Sequence, residues 1–284
     1  MKKTARIIAL ILLAAMLLSL TGCGSFETKM ARAAKKMSSL QSVHMDMDMH
    51  MDFSMSMLGE SLDLDANMKS GIDMQTEPLR AKMEIGMEVL GANMEMLMYM
   101  EQNGEEYTAY VSADEGASWE RESITAEEAK SQTGDVGENL KIFIDCAKSF
   151  QEAGTETVNG AEATRYDGVI TGDSLESALE LSGAKEMLGE GLGAKLSADA
   201  FTGLESIPCS VWIDNKSGMV VRYDMDMSAV MQSMMKELME GILAEQGLAG
   251  LGMEMELREV TVSAVLSQFD AVGEIIIPDN ARAS

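Results

Sequence analysis

Residues 43–57 read Val-His-Met-Asp-Met-Asp-Met-His-Met-Asp-Phe-Ser-Met-Ser-Met. Every odd position is apolar and every even position is polar. Successive side chains of a β-strand point to opposite faces, so this strict period of two predicts one long strand with one dry face.

The pattern continues on the C-terminal side. Gly59 ends the first run, and Leu62, Leu64, Ala66, Met68, Ile72 and Met74 repeat it with Ser70 as the single polar break. Pro78 stops that strand. Leu79, Ala81, Met83, Ile85, Met87 and Val89 form a third run, Met94, Met96, Met98 and Met100 a fourth, and Tyr107, Ala109 and Val111 a fifth. Asp114-Glu115-Gly116 then turns the chain toward Trp119. Alternating runs in immediate succession predict an antiparallel meander.

Beyond Thr125 the spacing becomes helical. Thr125 with Glu128 matches a capping box, and Leu140, Phe143, Ile144 and Ala147 share a helical face. Strands return at 155–158 and 162–171 around Asn159-Gly160, a two-residue hairpin signal. Residues 174–188 and 197–204 read as helices, and 207–214 with 218–228 as a hairpin. Met231, Met235, Leu238, Met239 and Ile242 lie on one broad apolar face of a helix over 229–246, read as a lid or as plain core. A long strand from Met253 to about Phe269 and a last one over Gly273–Ile277 complete the pattern, giving an α+β chain.

On the N-terminal side, Met30, Ala33, Ala34, Met37 and Leu40 predict a short amphipathic helix. Before it, Lys2, Lys3 and Arg6 precede an apolar run from Ile7 to about Leu20, followed by Leu20-Thr21-Gly22-Cys23. Charge, apolar length and cysteine in this order are those of a lipoprotein signal. The apolar run is short for a membrane span of about 20 residues. The expected organisation is a cleaved signal over 1–22, a lipid anchor on Cys23 with tether and short helix over 23–41, and one domain over 42–284. The chain is expected at the extracytoplasmic face of a bacterial membrane.

The chain carries 22 basic and 47 acidic residues, a formal charge of −25. Loss of Lys2, Lys3 and Arg6 with the signal makes the body more acidic still. Such a surface repels nucleic acid and anionic headgroups, so a basic patch is not what holds it at a membrane. Cys146 and Cys209 are an even pair in an exported chain, which permits a disulfide or two separate buried thiols.

Thioethers select Cu(I), but His44 and His50 alternate with the methionines and face the other way, which leaves only a methionine-based Cu(I) site as an alternative. Asp63, Asp65 and Asn67 begin a calcium-loop spacing, but Met68 and Met74 stand where its glycine and glutamate belong. No nucleophile elbow or phosphate loop occurs, so no catalytic residue, cofactor or metal is assigned and no enzyme activity is expected.

The order of these features resembles a known group. Leu40-Gln41-Ser42-Val43-His44 enters the first strand, Val158-Asn159-Gly160 precedes another, Val211-Trp212-Ile213-Asp214 is followed by Gly218, and Ile276-Ile277-Pro278 ends the last. In this the chain is similar to lipoproteins of the mycobacterial glycolipid-carrier type and to carriers of the lipoprotein-sorting pathway. The resemblance implies a strongly curved antiparallel sheet, a half-barrel, with helices on its concave face and an acyl-binding cavity between. On that reading the lining is Met47, Met49, Met51, Met68, Met83, Ile85, Met96 and Met98. Met is unbranched and polarizable and adapts to irregular guests. The partner is a lipid or other apolar molecule; the alternative is an envelope assembly or sensing module with a closed core.

Overall fold

The structure, a computed structural model, describes residues 25–57, 60–126, 128–129, 136–171, 174, 206–233, 235–236 and 254–283. Cys23, most of the helix expected at 174–188, the one at 197–204 and the residues beyond Lys236 up to β11 lie outside these.

Helix α1 (Phe26–Met37) forms where the amphipathic stripe was expected. Ser25 caps it by accepting the Thr28 amide at 3.3 Å, and Glu27 and Lys35 sit at the ends that favour their charges. There follow β1 (Ser42–Met57), β2 (Glu60–Thr76), β3 (Leu79–Val89), β4 (Ala92–Asn103), β5 (Glu106–Ser112) and β6 (Glu120–Ile124). Helices α2 (Val136–Asn139) and α3 (Lys141–Asp145) lead to β7 (Gln151–Val158), β8 (Ala161–Ile170), β9 (Ile207–Asp214), β10 (Val220–Asp226) and β11 (Glu254–Ser267). Helix α4 (Asp279–Arg282) ends the chain.

The eleven strands among the described residues belong to one open antiparallel sheet in the order β6-β5-β4-β3-β2-β1-β11-β10-β9-β8-β7. It consists of two meanders, β1–β6 and β7–β11, joined through β1 and β11. Since β6 and β7 are the two outer edges, the segment between them must cross the whole sheet. That segment carries α2 and α3, which pack against α1.

Turn chemistry fixes the hairpins. Asn159 (φ 50°) and Gly160 (φ 79°) make the two-residue left-handed loop expected between β7 and β8. A bulge in β11 separates the pairs Asp52↔Glu259 and Phe53↔Leu257, leaving Arg258 as the extra residue. The bulge keeps Leu257 on the apolar face and sends the Arg258 guanidinium to Asp63 and Asp52.

The main core lies where α1 meets the second meander. Met30 and Ala33 are fully buried against Ile170, Ile207, Val211 and Val220. Phe26 stacks on Phe150 at 4.4 Å between ring centroids and tilts against Tyr166 at 4.9 Å. The capping box forms reciprocally, with the Thr125 amide donating to Glu128 Oε2 at 2.6 Å and the Glu128 amide to Thr125 Oγ1 at 3.1 Å.

The strand expected over Gly273–Ile277 is not one. Among the described residues this extended segment pairs with no strand; instead Ile275, Ile277 and Ala281 cover Tyr99 and Tyr110 on the polar side of β4 and β5. Buried Glu101 holds it there, accepting from Arg282 Nη2 at 2.8 Å and from the Tyr110 hydroxyl at 2.9 Å. Burial opposes the charge on Glu101, but these donors outweigh it and lower its pKa.

Gly168 of β8 is required by this packing. A Cβ there would lie 2.6 Å from Cγ of Phe150. Gly168→Ala is expected to lower the stability by about 1–3 kcal/mol, seen as a reduced urea midpoint. An unchanged midpoint would show that the Phe26–Phe150 stack is free to shift.

Candidate functional site

Residues directly opposite in an antiparallel pair project to the same face, so the register defines rows across the sheet. One row is Leu266–Met45–Ile72–Met83–Met98–Val111; the next is Ala264–Met47–Ser70–Ile85–Met96. The third is Val262–Met49–Met68–Met87–Met94, and the fourth is Val260–Met51–Ala66–Val89–Ala92. All eight residues expected to line a cavity therefore share one face. Met87 and Met94 belong there equally, as the same alternation shows.

This face is unevenly covered. On the α1 side, Met45, Met47, Met49, Met51 and Phe53 pack against the core. Across β2, β3 and β4, Met68, Met83, Ile85 and Met98 are half-buried and Met96 is 39% exposed. From the expected lid, Met231 is buried and Met235 packs on the same core, while Leu238, Met239 and Ile242 lie outside the described residues.

Two hydroxyls interrupt the apolar face within one row. Tyr223 pairs with Ala264, which pairs with Met47, whose other neighbour is Ser70. The Tyr223 hydroxyl reaches Met45 Sδ at 4.0 Å, and burial pushes its pKa up to about 12. Sequence reading identified Ser70 as a break but missed Tyr223, whose place in the row depends on long-range pairing.

The opposite face is polar. His44 Nδ1 lies 2.7 Å from Asp73 and Nε2 3.2 Å from Asp46, while His50 Nδ1 lies 2.9 Å from Asn67 Oδ1. The histidines are thus turned away from the thioethers, and no cluster of His, Cys, Asp and Glu among the described residues could hold a metal. Trp212 lies between the guanidinium groups of Arg165 and Arg222, at 5.2 and 4.7 Å, and donates to Glu156 at 2.9 Å.

Two grooves also open on the polar face. One, of about 560 Å³, is walled by Asp48, His50, Lys69, Arg222, Asp224 and Ser263. The other, of about 820 Å³, is walled by Asp46, Glu84 and Glu95 with Glu115 and Asn159 from two loops. Met49 and Met68 border the first, and Met47, Ile85 and Met96 the second. Their side chains point to the other face, so they contribute main chain. Neither groove is the apolar cavity expected from the sequence.

Cys146 and Cys209 are free buried thiols, not a disulfide. Cys146 Sγ is engaged by the main chain of Thr171, accepting its amide at 3.4 Å. Burial pushes the Cys209 thiol up to about 12. No helix among the described residues is long and apolar enough to cross a membrane.

Two predictions follow from this electrostatics. Burial opposes protonation of His44, but the carboxylates of Asp73 and Asp46 outweigh it and raise its pKa above 6.5. A raised folded-state pKa gives stability that is full below the unfolded value and is lost as pH rises through the folded one. His44→Asn should therefore cost more stability at about pH 5.5 than at about pH 8.5 in urea titrations; equal costs would contradict the assignment. Cys209, held as a thiol, should resist an aromatic disulfide reagent in the native chain and react on unfolding.

The family model described as Family of unknown function (DUF6612) matches residues 25–160, which span α1 through β7. No curated protein matches the sequence. Among solved structures, the chain is similar to the Mycobacterium tuberculosis lipoprotein LppX, with 16% identity over 88% of this chain and 96% of that one and a TM-score of 0.42. It is also similar to LprF from Mycobacterium bovis, with 14% identity over 90% and 99% of the two chains and the same TM-score of 0.42. A lipoprotein-sorting protein domain from Vibrio parahaemolyticus aligns at 10% identity over 84% and 88%, with a TM-score of 0.18.

Proposed function

We propose that this is a lipoprotein of the bacterial envelope, anchored through Cys23 after loss of residues 1–22, whose single domain binds a lipid or another apolar ligand on the methionine face. Residues 23–41 serve as anchor, tether and first helix, and 42–284 as a curved half-barrel. The observation that carries this reading is the continuous apolar face, packed under α1 on one side and half-open over β2–β4 on the other. Along one strand, Met45 to Met51 spans roughly 20 Å, enough to lay an acyl chain along the strand. Each methylene buried there contributes about 0.8 kcal/mol.

The hydroxyls of Tyr223 and Ser70 give this face a polar spot beside Met47. A ligand with one oxygenated end is fixed in orientation by such a spot, because a buried hydroxyl without a partner is costly. Binding, not catalysis, is the chemistry these groups support.

The test is native mass spectrometry of the chain beginning at Gly24, followed by titration with a fluorescent long-chain fatty acid. A bound lipid is expected, and Met68→Asp should weaken fatty-acid binding more than tenfold, a change above about 1.4 kcal/mol. Absence of any bound or exchangeable lipid would favour a closed-core envelope module instead.

A further inference from the structure

One end of the sheet carries the last residues of β1, the first of β2, the β3–β4 turn and the first residues of β9 and β11. Apolar surface is exposed there: Leu62 at 56%, Leu90 at 69% and Met94 at 55%. Leu62 lies opposite Met55 and Met94 opposite Met87, so both extend the methionine face to the tip. Leu90 occupies a left-handed turn position (φ 54°) beside Gly91 (φ 76°). That conformation suits Asn, Asp or Gly and costs a leucine roughly 1 kcal/mol, without the packing that would offset it.

The course of α1 relates this end to the anchor. The helix begins at Phe26, stacked on Phe150 beside Gly168, and ends near Lys36, whose Nζ donates to the Ser217 carbonyl at 2.5 Å. Ser217 is in the β9–β10 turn, at the far end of the sheet, so the start of α1 is directed toward the Leu90 end. Only Gly24 and Ser25 separate Cys23 from Phe26, which holds the anchor within about 10 Å of the helix start. The row through Gly168 runs along Cys209, Met225 and Val262 to Met49. From Met49, β1 continues to Met57, roughly 26 Å of strand. The start of α1 and the exposed ends of β2, β3 and β4 thus lie toward the same end of the sheet, so a bilayer holding Cys23 faces this tip.

We infer that Leu62, Leu90 and Met94 seat in the bilayer leaflet that holds the anchor. The contact is one-faced, because Asn93 and Glu95, in the opposite phase of β4, are exposed and polar. The inference rests on acylation of Cys23 and not on whether the methionine face holds a ligand.

The test uses the full lipidated protein with Leu90→Cys carrying a nitrobenzoxadiazole label, in phosphatidylcholine vesicles with and without spin-labelled acyl chains. Leu62→Cys is the second variant, and Glu105→Cys in the β4–β5 turn is the reference at the other end. The native Cys146 and Cys209 are buried. At Leu90 and Leu62 the emission is expected to shift to the blue and to be quenched by the spin labels, with neither effect at Glu105. Emission at the aqueous wavelength overturns the inference. So does a blue shift without quenching, which places the tip against protein, whether a second copy or another partner. Intact mass reads the acylation of Cys23, and a non-acylated chain overturns it as well. Failure of the soluble chain to bind fatty acid refutes the proposed ligand function but leaves a positive quenching result intact.

Discussion

The double ladder of β1 is the constraint on which the rest of the molecule depends. This strand, the first of the described strands, hydrogen-bonds to β2 along one edge and to β11, the last of them, along the other. Because side chains alternate, a slip of one residue against either neighbour would exchange methionines for aspartates across the face. The bulge at Arg258 maintains that phase where β11 has one residue too many. With β1 fixed in the middle, each meander grows outward by hairpins, and the segment between them has no route except across the sheet.

The two faces solve different problems. On the apolar face, α1 and the crossing segment exclude water from the second meander, while the first meander keeps methionines half-exposed. On the polar face, the excess of carboxylates is relieved by opposite-sign neighbours. Asp73 lies between His44 and Lys82, and Asp48 is opposite Lys69 at 4.0 Å. Such cross-strand pairs each contribute a few tenths of a kcal/mol. They explain how so acidic a sheet keeps its strands paired without requiring any of these carboxylates to bind a ligand.

Much of this was legible in residues 43–111, where alternation located five strands and the shared face of Met47, Met68, Ile85 and Met96. The Asn159-Gly160 hairpin and the Thr125–Glu128 cap were equally plain, because a local backbone conformation selects those residues. Trp212 was legible only as part of a strand; its place between Arg165 and Arg222 arises from three strands meeting. The segment Gly273–Ile277 has the composition of a strand, yet it finds its apolar partner in Tyr99 and Tyr110, and its Gly273 and Ile275 carbonyls accept from the side chains of Gln75 and Arg80 instead of from a strand.

The sequence by itself determined the strands of the first meander, their dry face and the first helix, since these follow from periodicity and caps that act within a few residues. The proposal of an anchor on Cys23 rests on the sequence alone, on the Leu20-Thr21-Gly22-Cys23 motif. Only the tertiary structure decided that β11 returns to β1, that Tyr223 joins the row of Met47, and that Cys146 and Cys209 remain separate thiols. Those outcomes depend on contacts between residues far apart in the chain, which are set by how the two meanders and α1 share one core.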